Sequence, residues 1–294
     1  MDTLVPVTLS GLSLGCVYGL VALGFALIYK ATGVMNFAQG ELMMLGAYLH
    51  YSLVTAAGLS PLAAVPVAVL VAGLFGAGLE RGLLHPLVEE PPLAQVMATI
   101  GLATVLRAGV GMIWSHDTFA APSPIPEGTL SLDSAVLPLV EVWTVLVTAA
   151  LSGLLFLFFR GTDLGVAMRA VAQNRYAAQL VGIRAGRLFT LTWALAAAIA
   201  AVGGILLGSM AYLHTGMGLI ALRAFPAVVL GGLESIPGAV LGGLVVGLAE
   251  SLSGAYLDPV LGSGTREVVP FVILLAALLV RPTGFFGASL EKRV

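Results

Sequence analysis

Long apolar runs separated by short polar intervals recur along the whole chain. At a rise of about 1.5 Å per residue, runs of this length can cross the roughly 30 Å hydrocarbon core of a bilayer. Hydropathy and the positions of Gly and Pro place helices near residues 7–29, 34–57, 61–84, 93–114, 138–159, 187–213, 219–233, 237–255 and 267–281. This pattern predicts an all-α, polytopic membrane bundle of about nine spans, with eight or ten as the alternatives.

Composition supports a membrane protein without a soluble domain. Of the 294 residues, 59% are hydrophobic and 10% are charged, whereas a soluble domain carries about a quarter charged residues. The longest polar intervals run only from about 116 to 137 and from about 160 to 187. We therefore predict one transmembrane domain over residues 1–294, and any large partner domain must belong to another chain.

Charge in two loops predicts the orientation of the spans. The interval 160–187 contains five arginines and one acid, Asp163, while the interval 116–141 contains four acids and no basic residue. Short cytoplasmic loops are enriched in Lys and Arg, so the first interval is expected inside and the second outside. Counting from these loops puts the N-terminus outside and the C-terminal RPTGFFGASLEKRV inside. The count requires 219–233 to cross the membrane, and a re-entrant pair of half-helices is the alternative.

The N-terminal stretch MDTLVPVTLS has no Lys or Arg before the first apolar run. A removable signal peptide has a positively charged start and a small-residue cleavage site, so we expect this first span to be retained. With a net charge of −2 and no basic tail, the chain is not expected to bind nucleic acid.

Small residues predict where helices pack closely. Gly11, Gly15 and Gly19 form a tandem GxxxG triplet, a spacing that lets transmembrane helices approach one another. The repeated VLGG at 229–232 and 240–243 flanks the turn LESIPGA. We interpret this repeat as a tightly packed helical hairpin, with a gate as the functional alternative.

The residue pattern argues against an enzyme. The four histidines are scattered and show no metal-ligand spacing such as HExxH. Ser263 lies in a Gly-rich loop, where an intramembrane protease would place its nucleophile at a buried helix start. No GxxxxGK[ST] phosphate loop is present. We therefore expect no catalytic residue, no metal site and no cofactor in this chain, and any ATPase that drives it is a separate subunit.

The predicted cytoplasmic interval contains its own helical pattern. Residues 163–181 are Ala-rich, lack Pro and place apolar side chains at helical spacing, and Gly182 is a natural helix stop. The pattern predicts a short amphipathic helix or helix pair in the cytosol. Two interpretations remain open, a solvated connector and a docking helix for a cytoplasmic partner.

The stretch NFAQGE places three polar residues, Asn36, Gln39 and Glu41, inside an apolar run. On a regular helix Glu41 points about 140° away from Asn36, so the three can share one path only if the helix breaks, at Gly33 or Gly40. One interpretation is the cytoplasmic start of the second helix, with Asn36 as cap and Glu41 in the first turns. The other is a translocation path or gate formed by the side chains of this stretch.

From Leu9 to Gly287 the chain resembles the branched-chain amino acid permeases of ATP-binding-cassette (ABC) importers, of the LivH type. Four motifs in the family's order carry the resemblance: VMNFAQGELMMLGAY, AMRAVAQNRYAAQLVGI, AVVLGGLESIPGAVLGG and LLVRPTGFFG. The resemblance implies a bacterial inner-membrane subunit that pairs with a second, related permease. It also implies two ATP-binding subunits and a soluble substrate-binding protein.

The resemblance also implies a coupling loop at 160–187, through which the permease contacts its ATPase. Ala177, Ala178 and Gly182 match the last three positions of the family's EAA-three-residues-Gly pattern, and Tyr176 replaces its glutamate. This departure leaves the polar contact unassigned. Arg169 and Arg175 are the candidates to supply it.

Two classes of function follow from these observations. The first is a passive subunit of an ATP-driven importer for branched-chain or other hydrophobic amino acids, with urea or short amides as alternative cargo. The second is a self-sufficient channel or secondary carrier, which often contains broken helices in both halves. The path is expected to be mainly apolar. Glu80, Glu250 and Glu267 are expected near span ends, in polar surroundings.

Overall fold

The computed structural model describes residues 4–132, 135–281 and 283–287, and most of them are helical. The α-helices are α1 Leu4–Thr32, α2 Gln39–Thr55, α3 Pro61–Leu79, α4 Pro92–Trp114, α5 Leu139–Gly161, α6 Asp163–Gln173, α7 Arg175–Leu180, α8 Ala185–Met210, α9 Ile220–Gly231, α10 Ile236–Tyr256, α11 Asp258–Leu261 and α12 Thr265–Val280. The helical bundle is thus confirmed. Short helical turns extend α3 to Leu87 and precede α9 at Met217–Leu219.

Six helices among the described residues are long and apolar enough to cross a membrane: α1, α3 with its extension, α4, α5, α8 and α10. The other three predicted spans correspond to shorter helices, since α2 has 17 residues, α9 has 12 and α12 has 16. Twelve helical residues rise only about 18 Å. The predicted count of nine spans is therefore not confirmed by helix length.

Helix α1 lies at the centre of the bundle because its glycines allow α10 to approach it. A Cβ atom added at Gly15 would lie 2.8 Å from Leu244 Cα, and one added at Gly243 would lie 2.5 Å from Gly19 Cα. Such distances leave no room for a side chain, so the two backbones are in direct contact. The packing role predicted for the tandem glycine triplet is confirmed.

The VLGG repeat forms the predicted hairpin. Helices α9 and α10 are so close that a Cβ atom at Gly238 would lie 2.8 Å from the Gly231 carbonyl carbon. The C-terminal segment covers this turn, with Phe285 N donating to Leu230 O at 2.8 Å. Lys292 and Arg293, which support the predicted C-terminal orientation, lie outside the described residues.

The interval predicted to be an external loop contains a strand pair that its sequence did not reveal. Strands β1 Thr129–Leu132 and β2 Ala135–Pro138 pair antiparallel. A backbone bridge between Phe119 and Leu213, with N–O distances of 2.9 and 2.8 Å, ties this interval to the segment after α8. These contacts hold the loop against the bundle.

Candidate functional site

The NFAQGE stretch lies where the second helix is interrupted. Helix α2 begins at Gln39 and not at residue 34, because Gly33 has a φ of 73° and residues 33–38 are not helical. The N-cap position belongs to Ala38, so the prediction of Asn36 as cap is wrong. Asn36 instead stabilises the turn, since its Oδ1 accepts from Ala38 N at 3.0 Å. Glu41 lies in the first turn, as expected.

The start of α2 lies deep in the bundle. Gln39 Nε2 donates to the Ala196 carbonyl at 3.2 Å. Ala196 lies about 16 Å from the Ala185 end of α8 and about 21 Å from its Met210 end, at 1.5 Å per residue. The stretch therefore lies near the middle of the bundle along α8, and its distance from the cytosol stays a prediction.

Gln39 depends on a glycine in α1 for its position. A Cβ atom at Gly24 would lie 2.6 Å from Gln39 Cδ. Asn36 Nδ2 donates to Gln39 Oε1 at 3.4 Å, and both side chains are fully buried. The two amides therefore bond to one another, and Gln39 also bonds to the backbone of α8. Gly24 belongs to no motif, and sequence reasoning did not identify it.

Glu41 forms an ion pair with Arg107 of α4. The carboxylate is almost fully buried, whereas 39% of the Arg107 side chain is exposed. Sequence reasoning assigned Glu41 and missed its partner. The signal was a single basic residue inside the apolar run 93–114. We call Asn36, Gln39, Glu41 and Arg107 the mid-bundle polar cluster.

A second helix start meets α2 at this cluster. The segment before α9 lies against the first turn of α2, so that a Cβ atom at Gly40 would lie 2.9 Å from the Gly218 carbonyl carbon. A Cβ atom at Gly218 would lie 2.7 Å from Glu41 Oε1. Helix N-termini carry partial positive charge, which favours the Glu41 carboxylate at this junction.

A narrow cavity lies beside Asn36, at the edge of the mid-bundle polar cluster. Its lining includes Asn36, Glu80 and Thr99. A wider cleft next to it shares the lining residues Thr32, Val88, Gln95 and Phe189 and reaches α6 and α7 at Val171, Ala172 and Arg175. The arginine-rich loop and the interrupted start of α2 thus border two neighbouring cavities that share four lining residues.

The arginine-rich loop forms the predicted helix pair. Thr162 caps α6 by accepting from Gly165 N at 3.0 Å, and Asn174 caps α7 by accepting from Ala177 N at 3.0 Å. Gly182 ends the pair with a φ of 88°, which confirms its predicted role as a helix stop. The side chain of Ala178, a residue of α7, is buried.

The outer face of α7 and the residue after it carry three large exposed apolar side chains. Tyr176, Leu180 and Val181 are 79%, 89% and 77% exposed. Arg175 points the other way, because its guanidinium lies 5.4 Å from the Phe189 ring centre and 3.7 Å from the Glu89 carboxylate. Arg169 is half-buried and lines a separate cleft with Lys30 and Arg160. Three large apolar side chains thus lie on the exposed surface of the helix pair, beside the exposed polar residues Asn174 and Gln179.

Of the three acids expected in polar surroundings, Glu267 is exposed, whereas Glu80 and Glu250 are buried among polar partners. Glu80 is buried and accepts hydrogen bonds from Thr190 Oγ1 at 2.5 Å and from His85 Nδ1 at 3.0 Å. Glu250 is fully buried, and its partners lie on α1, α9 and α12: Tyr18 Oη at 2.6 Å, Arg223 Nη1 at 3.2 Å and Arg266 Nε at 3.2 Å.

Arg223 links this buried carboxylate to the surface. Its Nη2 donates to Glu267 Oε1 at 2.9 Å, and Glu267 is exposed. We call Tyr18, Arg223, Glu250, Arg266 and Glu267 the Glu250 network. The bundle therefore contains two ionic clusters, where the sequence suggested a mainly apolar interior.

Comparison with known proteins shows which family this chain resembles. Residues 7–278 match the family model described as branched-chain amino acid transport system / permease component. The chain is 34% identical to the high-affinity branched-chain amino acid transport permease BraD of Pseudomonas aeruginosa, covering 97% of this chain and 96% of that one. It is equally similar, over the same shares, to the permease LivH of Escherichia coli K12.

A solved structure supports the fold alone. The chain aligns with a chain of PsaBC from Streptococcus pneumoniae with a TM-score of 0.50 and 14% identity, over 94% of this chain and 92% of that one. The family match and the relatives both span nearly the whole sequence. The chain is thus a multi-pass membrane protein that belongs to the family of branched-chain amino acid transport permeases.

Proposed function

We propose that this chain is the transmembrane subunit of an ATP-driven importer for branched-chain or other hydrophobic amino acids in a bacterial inner membrane. It works with a second, related permease, two ATP-binding subunits and a soluble substrate-binding protein. Its N-terminus is outside and its C-terminus is in the cytosol. The observation that carries the proposal is the exposed helix pair α6–α7, which borders a cleft next to the cavity at the interrupted start of α2.

The ATPase docks on the exposed side of α7. Tyr176, Leu180 and Val181 form an apolar surface that a groove on a cytoplasmic protein would bury. Ala178 is buried behind this surface, while Ala177 and Gly182 are exposed beside it and Gly182 makes the turn that the coupling loop requires. Because Arg175 is bound to Glu89 and Phe189, it anchors α7 to the bundle, and Arg169 is the better candidate for a polar contact.

Helix α1 transmits a movement of α6–α7 to the translocation path. The cleft beside α6 is lined by residues 29–33, which lead directly into the non-helical segment before α2. Gly33 allows this segment to change direction. A shift of α6 towards or away from α1 therefore moves Asn36 relative to Ala196, and the Gln39–Ala196 hydrogen bond opens or closes.

Asn36, Gln39 and Glu41 act as the gate in this scheme. Their side chains are buried and form hydrogen bonds or an ion pair with other residues of the chain. The translocation path is therefore closed in this structure. Amide hydrogen bonds suit a gate, because each costs little to exchange for water when the path opens.

One observation favours the second class of function. Helices α2 and α9, in the two halves of the chain, both start inside the bundle and meet at Gly40 and Gly218. Discontinuous helices that meet at mid-depth are common in secondary carriers. A carrier would move its substrate without an ATPase.

A reconstitution experiment separates these proposals. The complete complex, with both permeases, both ATPases and the binding protein, is placed in liposomes with ATP inside or outside. We expect leucine uptake and leucine-stimulated ATP hydrolysis only with ATP on the ATPase side. Stimulation by urea or a short amide in place of leucine would reassign the cargo. ATP-independent flux through liposomes that contain this chain alone would establish a carrier.

A further inference from the structure

Arg107 occupies a position that lipid alone would not accommodate. It lies on α4 about 10 Å before the Trp114 end, at 1.5 Å per residue, and 39% of its side chain is exposed. An arginine at membrane depth is costly unless it faces water, another protein or a partner charge. The exposed side of Arg107 therefore faces water or a second protein chain.

Two exposed neighbours of Arg107 on α4 are small. They are Thr104, one turn away, and Ala108, the next residue, while the ring of His116 covers Gly111 on the following turn. A guanidinium has five N–H donors. One nitrogen binds Glu41, and the buried Nε has no hydrogen-bond partner among the described residues. Arg107 thus has donors to spare for a further acceptor.

We infer that the Glu41–Arg107 pair is the site that receives the charged groups of a zwitterionic cargo, an inference that rests on the proposed function. Arg107 binds the α-carboxylate and Glu41 binds the α-ammonium. The two side chains close on each other when the cargo leaves. The face of α4 with Thr104, Arg107 and Ala108 borders the water-filled path.

Charge balance gives this arrangement its physical basis. In the empty state the two side chains neutralise each other, and in the loaded state each is neutralised by one end of the cargo. No unpaired charge is left at membrane depth in either state, and so neither state carries the large cost of an isolated buried ion. A neutral amide or a singly charged acid cannot replace the pair in this way. The site would thus select zwitterions independently of the binding protein.

The double variant Glu41→Gln/Arg107→Gln tests the inference in the complete reconstituted complex. It removes both charges together and leaves no unpaired ion. We expect leucine uptake to fall by about 10- to 100-fold, the value of one or two charge-assisted contacts, while the subunits still co-purify. Uptake equal to wild type would show that the pair only neutralises itself, and would overturn the inference. Absence of uptake by the wild type would instead refute the proposed function.

A second measurement leaves the pair intact and applies if the double variant fails to assemble. Thr104→Cys is treated with a membrane-impermeant thiol reagent in the assembled complex. The wild-type chain, whose one cysteine is buried, sets the background. We expect labelling above this background and slower labelling with saturating leucine and binding protein. Labelling at background would place this face against lipid or tightly packed protein, and leucine-independent labelling would separate the face from the cargo. Either result contradicts the inference.

Discussion

The contact between α1 and α10 provides the most direct test of the packing. The same GxxxG spacing occurs at Gly15/Gly19 in α1 and at Gly78/Gly82 at the end of α3. A Cβ atom at Gly15 would lie 2.8 Å from Leu244 Cα, whereas one at Gly78 meets nothing within 4 Å. We predict that Gly15→Ala destabilises the protein and that Gly78→Ala, the matched control, does not.

The size of the effect follows from the geometry. Non-bonded carbons pack at about 3.5–4.0 Å, so the added methyl group must push the two helices apart by about 1 Å. Overpacking of this kind costs about 1–3 kcal/mol. Replacing a helical Gly by Ala gains about 1 kcal/mol of helix propensity, and this gain is shared by both variants. The difference between the two variants is therefore the packing cost alone.

Thermal unfolding of the purified chain in one detergent measures this difference, with tryptophan fluorescence as the signal. For a chain of 294 residues, about 1–3 kcal/mol corresponds to a Tm of Gly15→Ala that is roughly 2–5 °C below that of Gly78→Ala. Equal Tm values for the two variants, or a lower value for Gly78→Ala, would refute the assignment of the α1–α10 contact.

The remaining predictions concern the coupling loop and the two ionic clusters. Leu180→Arg places a charge on the exposed apolar face of α7, and we expect ATP-coupled uptake to fall at least about tenfold while membrane insertion stays normal; unimpaired uptake would contradict docking at α7. Asn36→Ala removes the bond to Ala38 N, and we expect loss of transport with normal assembly; loss of assembly would favour a purely structural turn. Tyr18→Phe removes one hydrogen bond from the buried Glu250 carboxylate and should lower stability by about 1–3 kcal/mol. The same thermal unfolding assay measures the effect of Tyr18→Phe, and an unchanged Tm would argue against the hydrogen bond between Tyr18 and Glu250.

Several features of the candidate site were predictable because they depend on neighbouring residues only. The helix pair α6–α7, its end at Gly182 and the hairpin at the VLGG repeat follow from local periodicity, capping and turn residues. The polar stretch Asn36–Glu41 was also identifiable, because polar residues inside an apolar run are conspicuous. The role of each side chain in it was not.

Local reasoning failed where a residue's surroundings come from distant parts of the chain. For Asn36 a helix cap and a gate were both open, and the cap is excluded because Gly33 interrupts the chain and α2 begins only at Gln39, which bonds to α8 in the middle of the bundle. Glu250 was expected near a span end in polar surroundings. It is instead fully buried, and its three polar partners come from α1, α9 and α12. In both cases hydropathy shows which residues are polar but does not show what they face.

The sequence by itself determined that this chain is a helical membrane protein. It also determined where most of the helices lie and that the arginine-rich loop forms a pair of short helices. These properties follow from length, periodicity and charge along the chain. Tertiary structure alone decided that Glu41 pairs with Arg107 and that Gly15 packs while Gly78 does not. The physical reason is that identical local patterns acquire different energies according to the helix that packs against them.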